Sequence, residues 1–87
     1  MITSFVYDGH EIEVQNGIAT ANLVIDGQQF DSVKGMFKPE KDTLSGTISD
    51  PDGQTHAVGI QLVSDDGLVW KAKCYIDGKL HDVRYLI

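Results

Sequence analysis

The chain of 87 residues contains a single cysteine, Cys74, so no disulfide can form within it. Small secreted domains usually depend on several disulfides, and a secreted, disulfide-stapled scaffold is therefore disfavoured. The first residues, 1–4, have neither the basic region nor the apolar region of a signal peptide. No apolar run approaches the roughly 20 residues needed to cross a bilayer. We expect a cytoplasmic protein without a membrane partner.

Positive charge is also scarce. The chain has 7 Lys and Arg residues against 13 Asp and Glu residues, which gives a net charge of −6. Such a chain repels the phosphate backbone, so nucleic acid is not an expected partner. Hydrophobic residues make up 41% of the sequence, which favours a folded domain over disorder. The length predicts one domain, residues 1–87, and its acidity suits a basic partner protein.

The clearest secondary-structure signal is a hairpin at residues 68–87 that folds about Asp77-Gly78. A two-residue Asp-Gly turn suits the positive φ angles of tight hairpin turns. Uninterrupted pairing outward from this turn sets Cys74 opposite His81. One face of the predicted hairpin is then apolar, and it carries Leu68, Trp70, Ala72, Cys74, Ile76, Val83, Tyr85 and Ile87.

Similar turn signals recur along the chain, and alternating apolar residues flank them. They are Asp8-Gly9, Asn16-Gly17, Asp26-Gly27, residues 50–53 and residues 65–67. The pattern predicts an all-β fold, an antiparallel up-and-down meander of about eight short strands, in which Phe30 lies on the inner face opposite Leu23. The meander forms either a small barrel or a rolled two-sheet sandwich. The barrel is favoured because closure removes edge strands.

The single all-β domain can be divided into halves at residues 1–35 and 43–87, joined by a connection at 36–42 where the alternation stops. Pro39 argues against a central strand in this connection. The segment 25–31, IDGQQFD, recurs at 76–82 as IDGKLHD. Two explanations are open, the duplication of a four-strand unit and the shared chemistry of Asp-Gly turns.

The three histidines, His10, His56 and His81, each follow an Asp-Gly turn within a few residues. These turns each join an odd-numbered strand to the next strand, so the turns and the histidines are predicted at one end of the meander. Imidazole is a good ligand for zinc-like ions, which makes the three histidines candidate metal ligands. The three histidines lack the short sequence spacing that is typical of metal ligands. The alternative is that they lie at the end of the core, where it meets solvent. No cofactor is predicted.

No constellation of residues indicates catalysis. Cys74 opposite His81 could be an activated nucleophile, but no third residue that would orient the histidine is identifiable. Cysteine is also among the residues most often buried for packing alone. The chain is therefore predicted not to be an enzyme.

Two surfaces are candidates for protein contacts. The outer face of the terminal hairpin is unusually apolar, and the turn end is acidic. The predicted function is a non-enzymatic, small acidic binding or assembly module that acts through protein–protein contacts, with a basic protein or a second copy of the chain (a homo-oligomer) as partner. The alternative is a small-ligand or metal-binding β-barrel that uses the histidine-bearing end. The predicted interaction residues are Val69, Tyr75, Leu80 and Leu86 on the hairpin and Asp8, Asp26, Asp52 and Asp77 at the turns.

Overall fold

The computed structural model describes residues 2–17, 20–34, 43–64, 66 and 69–86. The predicted connection at 36–42 lies outside these residues, as do Leu68 and Ile87. The described part is all-β, and no segment of it forms a helix of the length and apolarity that crossing a membrane requires. The eight strands are β1 (Ile2–Tyr7), β2 (His10–Asn16), β3 (Thr20–Ile25), β4 (Gln28–Lys34), β5 (Thr43–Ser49), β6 (Thr55–Val63), β7 (Trp70–Ile76) and β8 (Lys79–Leu86).

The strands form two four-stranded antiparallel sheets, with the orders β1-β2-β3-β4 and β5-β6-β7-β8. The predicted meander is confirmed, but the favoured barrel is wrong, because among the described strands no pairing joins one sheet to the other. Side chains bridge the two seams instead. The Ser45 backbone N–H donates to Asp31 where β5 meets β4 (2.9 Å), and His81 contacts the Val6 carbonyl where β8 meets β1 (2.8 Å). The result is a two-sheet sandwich.

The core lies between the sheets and follows the period-2 alternation of the strands. In β2, for example, Ile12 and Val14 are fully buried, whereas Glu11 points to solvent. Side chains from both sheets form one cluster, so neither sheet has a separate core. Its buried members are Phe5, Ile12, Val14, Ala21, Leu23, Ile25, Val33, Leu44, Ile48, Val58, Ile60, Leu62, Ala72, Cys74 and Ile76.

The Asp-Gly turns have the backbone conformation that the sequence predicts. The φ angles are 49° at Asp8, 50° at Asp26 and 51° at Asp77, and the glycine that follows each of them also has a positive φ. Asp tolerates this left-handed region and Gly adopts it freely, whereas a β-branched residue is strained there. These turns therefore fix where each hairpin reverses.

Replacing Gly78 with valine should lower the free energy of unfolding by roughly 1–3 kcal/mol, because φ at Gly78 is 81°. Urea or thermal unfolding would measure the loss. A Cβ built at Gly78 has no neighbouring atom within 4 Å, so the loss would report backbone strain and not a clash. A variant as stable as the parent protein would show that the turn does not have this conformation.

A β-bulge changes the predicted register of the last strand. The β7–β8 register shifts beside Cys74, which pairs with Asp82 instead of His81. A bulge inserts one residue, so the side chains beyond it turn to the opposite face. The predicted inward placement of Val83 and Tyr85 is therefore wrong, since these side chains are 38% and 59% exposed.

The same shift brings Leu86 inward. It was predicted on the outer face, but it pairs with Trp70 and packs against the core. The β3–β4 pair contains a matching bulge, where Leu23 pairs with Asp31 instead of Phe30. Phe30 consequently leaves the predicted inner face and is 38% exposed.

The two sheets repeat one another beyond their turns. The segments IDGQQFD and IDGKLHD occupy the same place in each sheet, and each contains the bulge. The aspartates that follow the bulges, Asp31 and Asp82, each accept a hydrogen bond of 2.8 Å from the next backbone N–H. Turn chemistry alone does not explain a bulge several residues away, so the repeat favours duplication of a four-strand unit.

Candidate functional site

Two histidines start equivalent strands at the Asp-Gly end of the sandwich. His10 is the first residue of β2 and His56 is the second residue of β6, and the two strands hold matching positions in their sheets. Their side chains are only 17% and 19% exposed. The sequence predicts that these two histidines lie at one end of the meander, and the structure places them there.

Three aspartates join the two histidines into one chain of contacts. His10 Nδ1 lies 2.7 Å from Asp26 Oδ2, and His10 Nε2 lies 2.9 Å from Asp50 Oδ1. His56 Nε2 lies 3.1 Å from Asp50 Oδ2, and His56 Nδ1 lies 2.7 Å from Asp77 Oδ2. We call this sequence of side chains, Asp26–His10–Asp50–His56–Asp77, the carboxylate–histidine array.

The hairpin turns hold the two outer carboxylates in place. The backbone N–H of Glu11 donates to Asp26 Oδ1, and that of Ala57 donates to Asp77 Oδ1, both at 2.9 Å. Each outer aspartate therefore binds the histidine with one oxygen and the neighbouring strand with the other. The Asp-Gly turn that reverses the chain thus also orients a histidine of the adjacent hairpin.

Asp50 supplies the central carboxylate from the connection between β5 and β6. Its backbone N–H donates to the Gln54 carbonyl (2.8 Å), and its carbonyl accepts from the Gly53 N–H (3.0 Å). The φ of Gly53 is 90°, which fits the predicted turn with a left-handed glycine. This closed turn directs the Asp50 side chain between the two histidines.

The contacts shift the pKa values of all five groups. Hydrogen bonds raise the pKa of His10, chiefly through Asp26 and then Asp50, and raise the pKa of His56, chiefly through Asp77. The same bonds lower the carboxyl pKa values. His10 is the main cause at Asp26 and Asp50, and His56 is the main cause at Asp77. The array therefore favours protonated histidines between ionised carboxylates.

The third predicted histidine lies apart from the array. His81 occupies the bulge of β8, and its Nε2 contacts the Val6 carbonyl. The Tyr7 ring lies edge-on between His81 and His56, with centroid distances of 5.4 and 5.6 Å. Within the described residues no group of three or more His, Cys, Asp or Glu residues is arranged to hold a metal ion. Metal binding by the three histidines stays a prediction from the sequence.

Two shallow depressions flank the array. The larger, of about 470 Å³, lies beside His10 and Asp50 and contains two of the predicted acidic residues, Asp8 and Asp52. The smaller, of about 280 Å³, lies beside Asp77 and His81 and is also lined by Tyr7. The acidic end is thus partly neutralised, since two of its four predicted aspartates, Asp26 and Asp77, bind histidines.

Cys74 has no features of a nucleophile. Its side chain is fully buried, and burial, with a smaller contribution from Asp82, raises the pKa of the thiol to about 11. His81, the partner proposed from the sequence, does not pair with it. The thiol is protonated at neutral pH and packs in the core.

Exposed apolar side chains collect where β1 meets β8. The two strands run side by side in opposite directions, since Val6 contacts His81 and Thr3 Oγ1 lies 3.4 Å from the Tyr85 carbonyl. We call the exposed apolar residues of this seam the corner surface. They are Ile2 and Val6 on β1 and Leu80, Val83 and Tyr85 on β8.

The predicted apolar strip overlaps the corner surface only at Leu80. Val69 is 51% exposed but precedes β7, and Tyr75 is half-buried, with its hydroxyl 3.4 Å from Gln61. Leu86 faces the core, as described above. Of the four residues of the strip, Leu86 alone was assigned to the wrong face, because the bulge in β8 could not be read from the alternation.

Charged rows border the corner surface on both sides. On β2, Glu11 lies opposite Val6, and Glu13 follows two residues later on the same face. On β7, Lys71 lies opposite Tyr85, with its Nζ 6.0 Å from the ring centroid, and Lys73 lies opposite Val83. The apolar residues thus have an acidic row on one side and a basic row on the other.

Comparison of the chain with protein-family models, with curated proteins and with solved structures gives no match.

Proposed function

We propose that this chain is a small, non-enzymatic assembly module that binds another protein through the corner surface. The observation that carries the proposal is the exposure of apolar side chains on two adjoining edge strands, 66% at Val6, 60% at Ile2 and 59% at Tyr85. Single exposed apolar residues are common, but several on adjoining strands are typical of contact surfaces. The buried thiol suits a reducing compartment, so the proposal includes a cytoplasmic location.

Strand β1 lacks the protective residues that edge strands usually have. Natural edges carry charges, prolines or bulges that prevent association. Residues Ile2–Tyr7 contain no charge and no proline, and the β1–β2 register is regular throughout. The β4 and β8 edges are both bulged, whereas the β5 edge is as regular and uncharged as β1 but exposes no large apolar side chain. A regular, uncharged edge strand with exposed apolar side chains favours association at this corner.

The partner that fits best is a second copy of the chain. A two-fold axis along the β1–β8 seam sets β1 and β2 of one copy against β8 and β7 of the other. The apolar rows then meet each other, and Glu13 faces Lys73 of the second copy. This arrangement brings opposite charges together at the border of an apolar centre, as stable interfaces do. A basic partner protein at the acidic end is less favoured, because Asp26 and Asp77 already bind histidines.

Sedimentation velocity over a range of concentrations would test this assembly. Tyr85→Lys should raise the dissociation constant of the dimer about 30-fold or more, since it places a charge in the apolar centre, where the loss of a hot-spot aromatic side chain costs about 2 kcal/mol or more. Thr47→Lys, on the exposed face of β5, is the matched control and should dimerise like the parent protein. A parent protein that stays monomeric at every concentration would exclude the second copy as partner.

Charge reversal tests the orientation of the two copies. Glu13→Lys alone should weaken the dimer by a few-fold, because exposed ion pairs are worth roughly 0.2–1 kcal/mol. Combining Glu13→Lys with Lys73→Glu should restore the affinity, because both rows are then reversed together. A double variant that is weaker than either single variant contradicts this alignment.

A small ligand or metal at the histidine end was the alternative function. It has no specific observation in its favour, because the ring nitrogens of His10 and His56 already contact carboxylates.

A further inference from the structure

All four ring nitrogens of His10 and His56 face a carboxylate oxygen, at distances between 2.7 and 3.1 Å. An ionised carboxylate only accepts hydrogen bonds, and a neutral imidazole has a single N–H to donate. The four contacts are therefore all hydrogen bonds when each ring carries two protons. A protonated carboxyl is a poor substitute, because an aspartate loses its proton near pH 3.9 and a histidine near pH 6.5. The arrangement is that of two imidazolium ions.

The array also connects the two sheets. His10 belongs to β2 of the first sheet, and Asp50 follows β5 of the second sheet. The Asp50 side chain is only 14% exposed and binds His56 with its other oxygen. A change in the charge of His10 therefore acts directly on the contact between the sheets.

We propose that the carboxylate–histidine array is a proton-operated latch. With a second proton on each histidine it fastens the Asp-Gly end of one sheet to the other, and it releases that end when the two protons are lost. This inference is independent of the corner surface and of the proposed assembly.

The charged groups around the array are mostly acidic, so the two protons on the histidines determine whether positive charge balances the carboxylates. With both rings protonated, three carboxylates alternate with two imidazolium ions. With both rings neutral, the three carboxylates stand in a row without a cation between them. Within the part of the chain that the structure describes, the other titratable groups beside the rings or lining the two depressions are Asp8, Glu11, Asp52, Lys79, Tyr7 and His81. Lys79 is the one cation in this set, and it lies in the smaller depression beside Asp77.

The direction of the pH dependence follows from the raised histidine pKa values. A histidine whose pKa is raised on folding stabilises the protein fully below its unfolded pKa, about 6.5, and loses this contribution as the pH rises through the folded pKa. The lowered carboxyl pKa values act in the opposite sense. Their contribution is present above about pH 3.9 and is lost as the pH falls through the folded pKa. The latch is therefore strongest between about pH 4 and pH 6.5.

Urea unfolding at a series of pH values from about 6 to about 9 would test the latch. Between the unfolded and folded pKa values, unfolding should release up to about two protons, so the unfolding equilibrium constant should rise by up to ~100-fold per pH unit. The variant with both His10→Gln and His56→Gln should lose this slope. His81→Gln, whose parent side chain contacts a carbonyl, is the matched control and should keep it. A parent protein without the slope, or a double variant that retains it, would overturn the proposal.

Ring nitrogen NMR of the unmodified protein gives a second measurement that needs no variant. At about pH 6.5 the rings of His10 and His56 should show both nitrogens protonated, as in imidazolium. Their titration midpoints should lie above the ordinary histidine value. A neutral ring at either position at this pH would also overturn the latch, whether or not the variants fold.

Discussion

Replacing Phe5 with alanine should destabilise the protein by about 3–5 kcal/mol, the largest loss that we expect from a single change. Phe5 is 1% exposed and is among the largest fully buried side chains, opposite Ile12 in the first hairpin. Its removal leaves a cavity between two sheets that share one core, so neighbouring side chains cannot all move to fill it. Urea unfolding would measure the loss.

Phe30→Ala is the matched control for this substitution. The residue types are the same, but Phe30 lies in the bulge of β4 and is 38% exposed. Its replacement should cost less than half as much as that of Phe5. Equal losses at the two positions would mean that Phe30 lies on the inner face, as uninterrupted alternation predicts.

Gly46→Val should destabilise the protein by about 3 kcal/mol, because the added atoms overfill a tight seam. Gly46 lies in β5, where a Cβ would be 2.7 Å from Ile25 Cδ1 and 3.2 Å from both Leu23 Cδ2 and Phe30 Cβ. The two aliphatic side chains are buried and have little room to move. Chemical denaturation of the variant would report the cost of separating the sheets at this seam.

Gly59→Val makes the same change at a glycine of the neighbouring strand, β6. A Cβ at Gly59 meets only Tyr75 Cβ, at 3.9 Å, which is an ordinary contact. Valine suits a strand better than glycine does, so stability should stay within about 1 kcal/mol of the parent protein or increase. If Gly46→Val were tolerated as well as Gly59→Val, the close packing of β5 on β3 would be wrong.

Alternation and turn chemistry were sufficient to predict most of the fold. Side chains alternate between the two faces with a period of two, so an error of two residues in the length of a turn leaves the same residues on the inner face. Ile12, Leu23, Ile60 and Ala72 are therefore predicted on the inner face even if a turn is assigned two residues too long or too short. The strands and the core could therefore be predicted even where the lengths of the connections could not. Bulges change the count by one and reverse the face, which is why Tyr85 and Leu86 were assigned to the wrong sides.

The site could be predicted only in part, for a related reason. The Asp-Gly turns are local signals, and they correctly bring His10 and His56 to one end. The position of Asp50 between them depends on how the two sheets pack, which no local pattern encodes. In the sequence, an aspartate before Pro51 indicates a turn. It does not indicate that the side chain of this aspartate contacts two histidines. His81 was predicted opposite Cys74 because its bulge was not foreseen.

The sharing of Asp50 breaks the internal symmetry of the repeat. Asp26 and Asp77 are counterparts, as are His10 and His56, so each half of the molecule has its own copy of these parts. In a symmetric pair of identical four-stranded chains, each chain would supply the same residues, so the central carboxylate would be present twice or would be missing. One carboxylate can serve both histidines only because the connections differ, Asp50-Pro51-Asp52-Gly53 in one half and Asp8-Gly9 in the other. The central position thus has no second copy that could replace it, so a change at Asp50 removes a contact of both histidines at once.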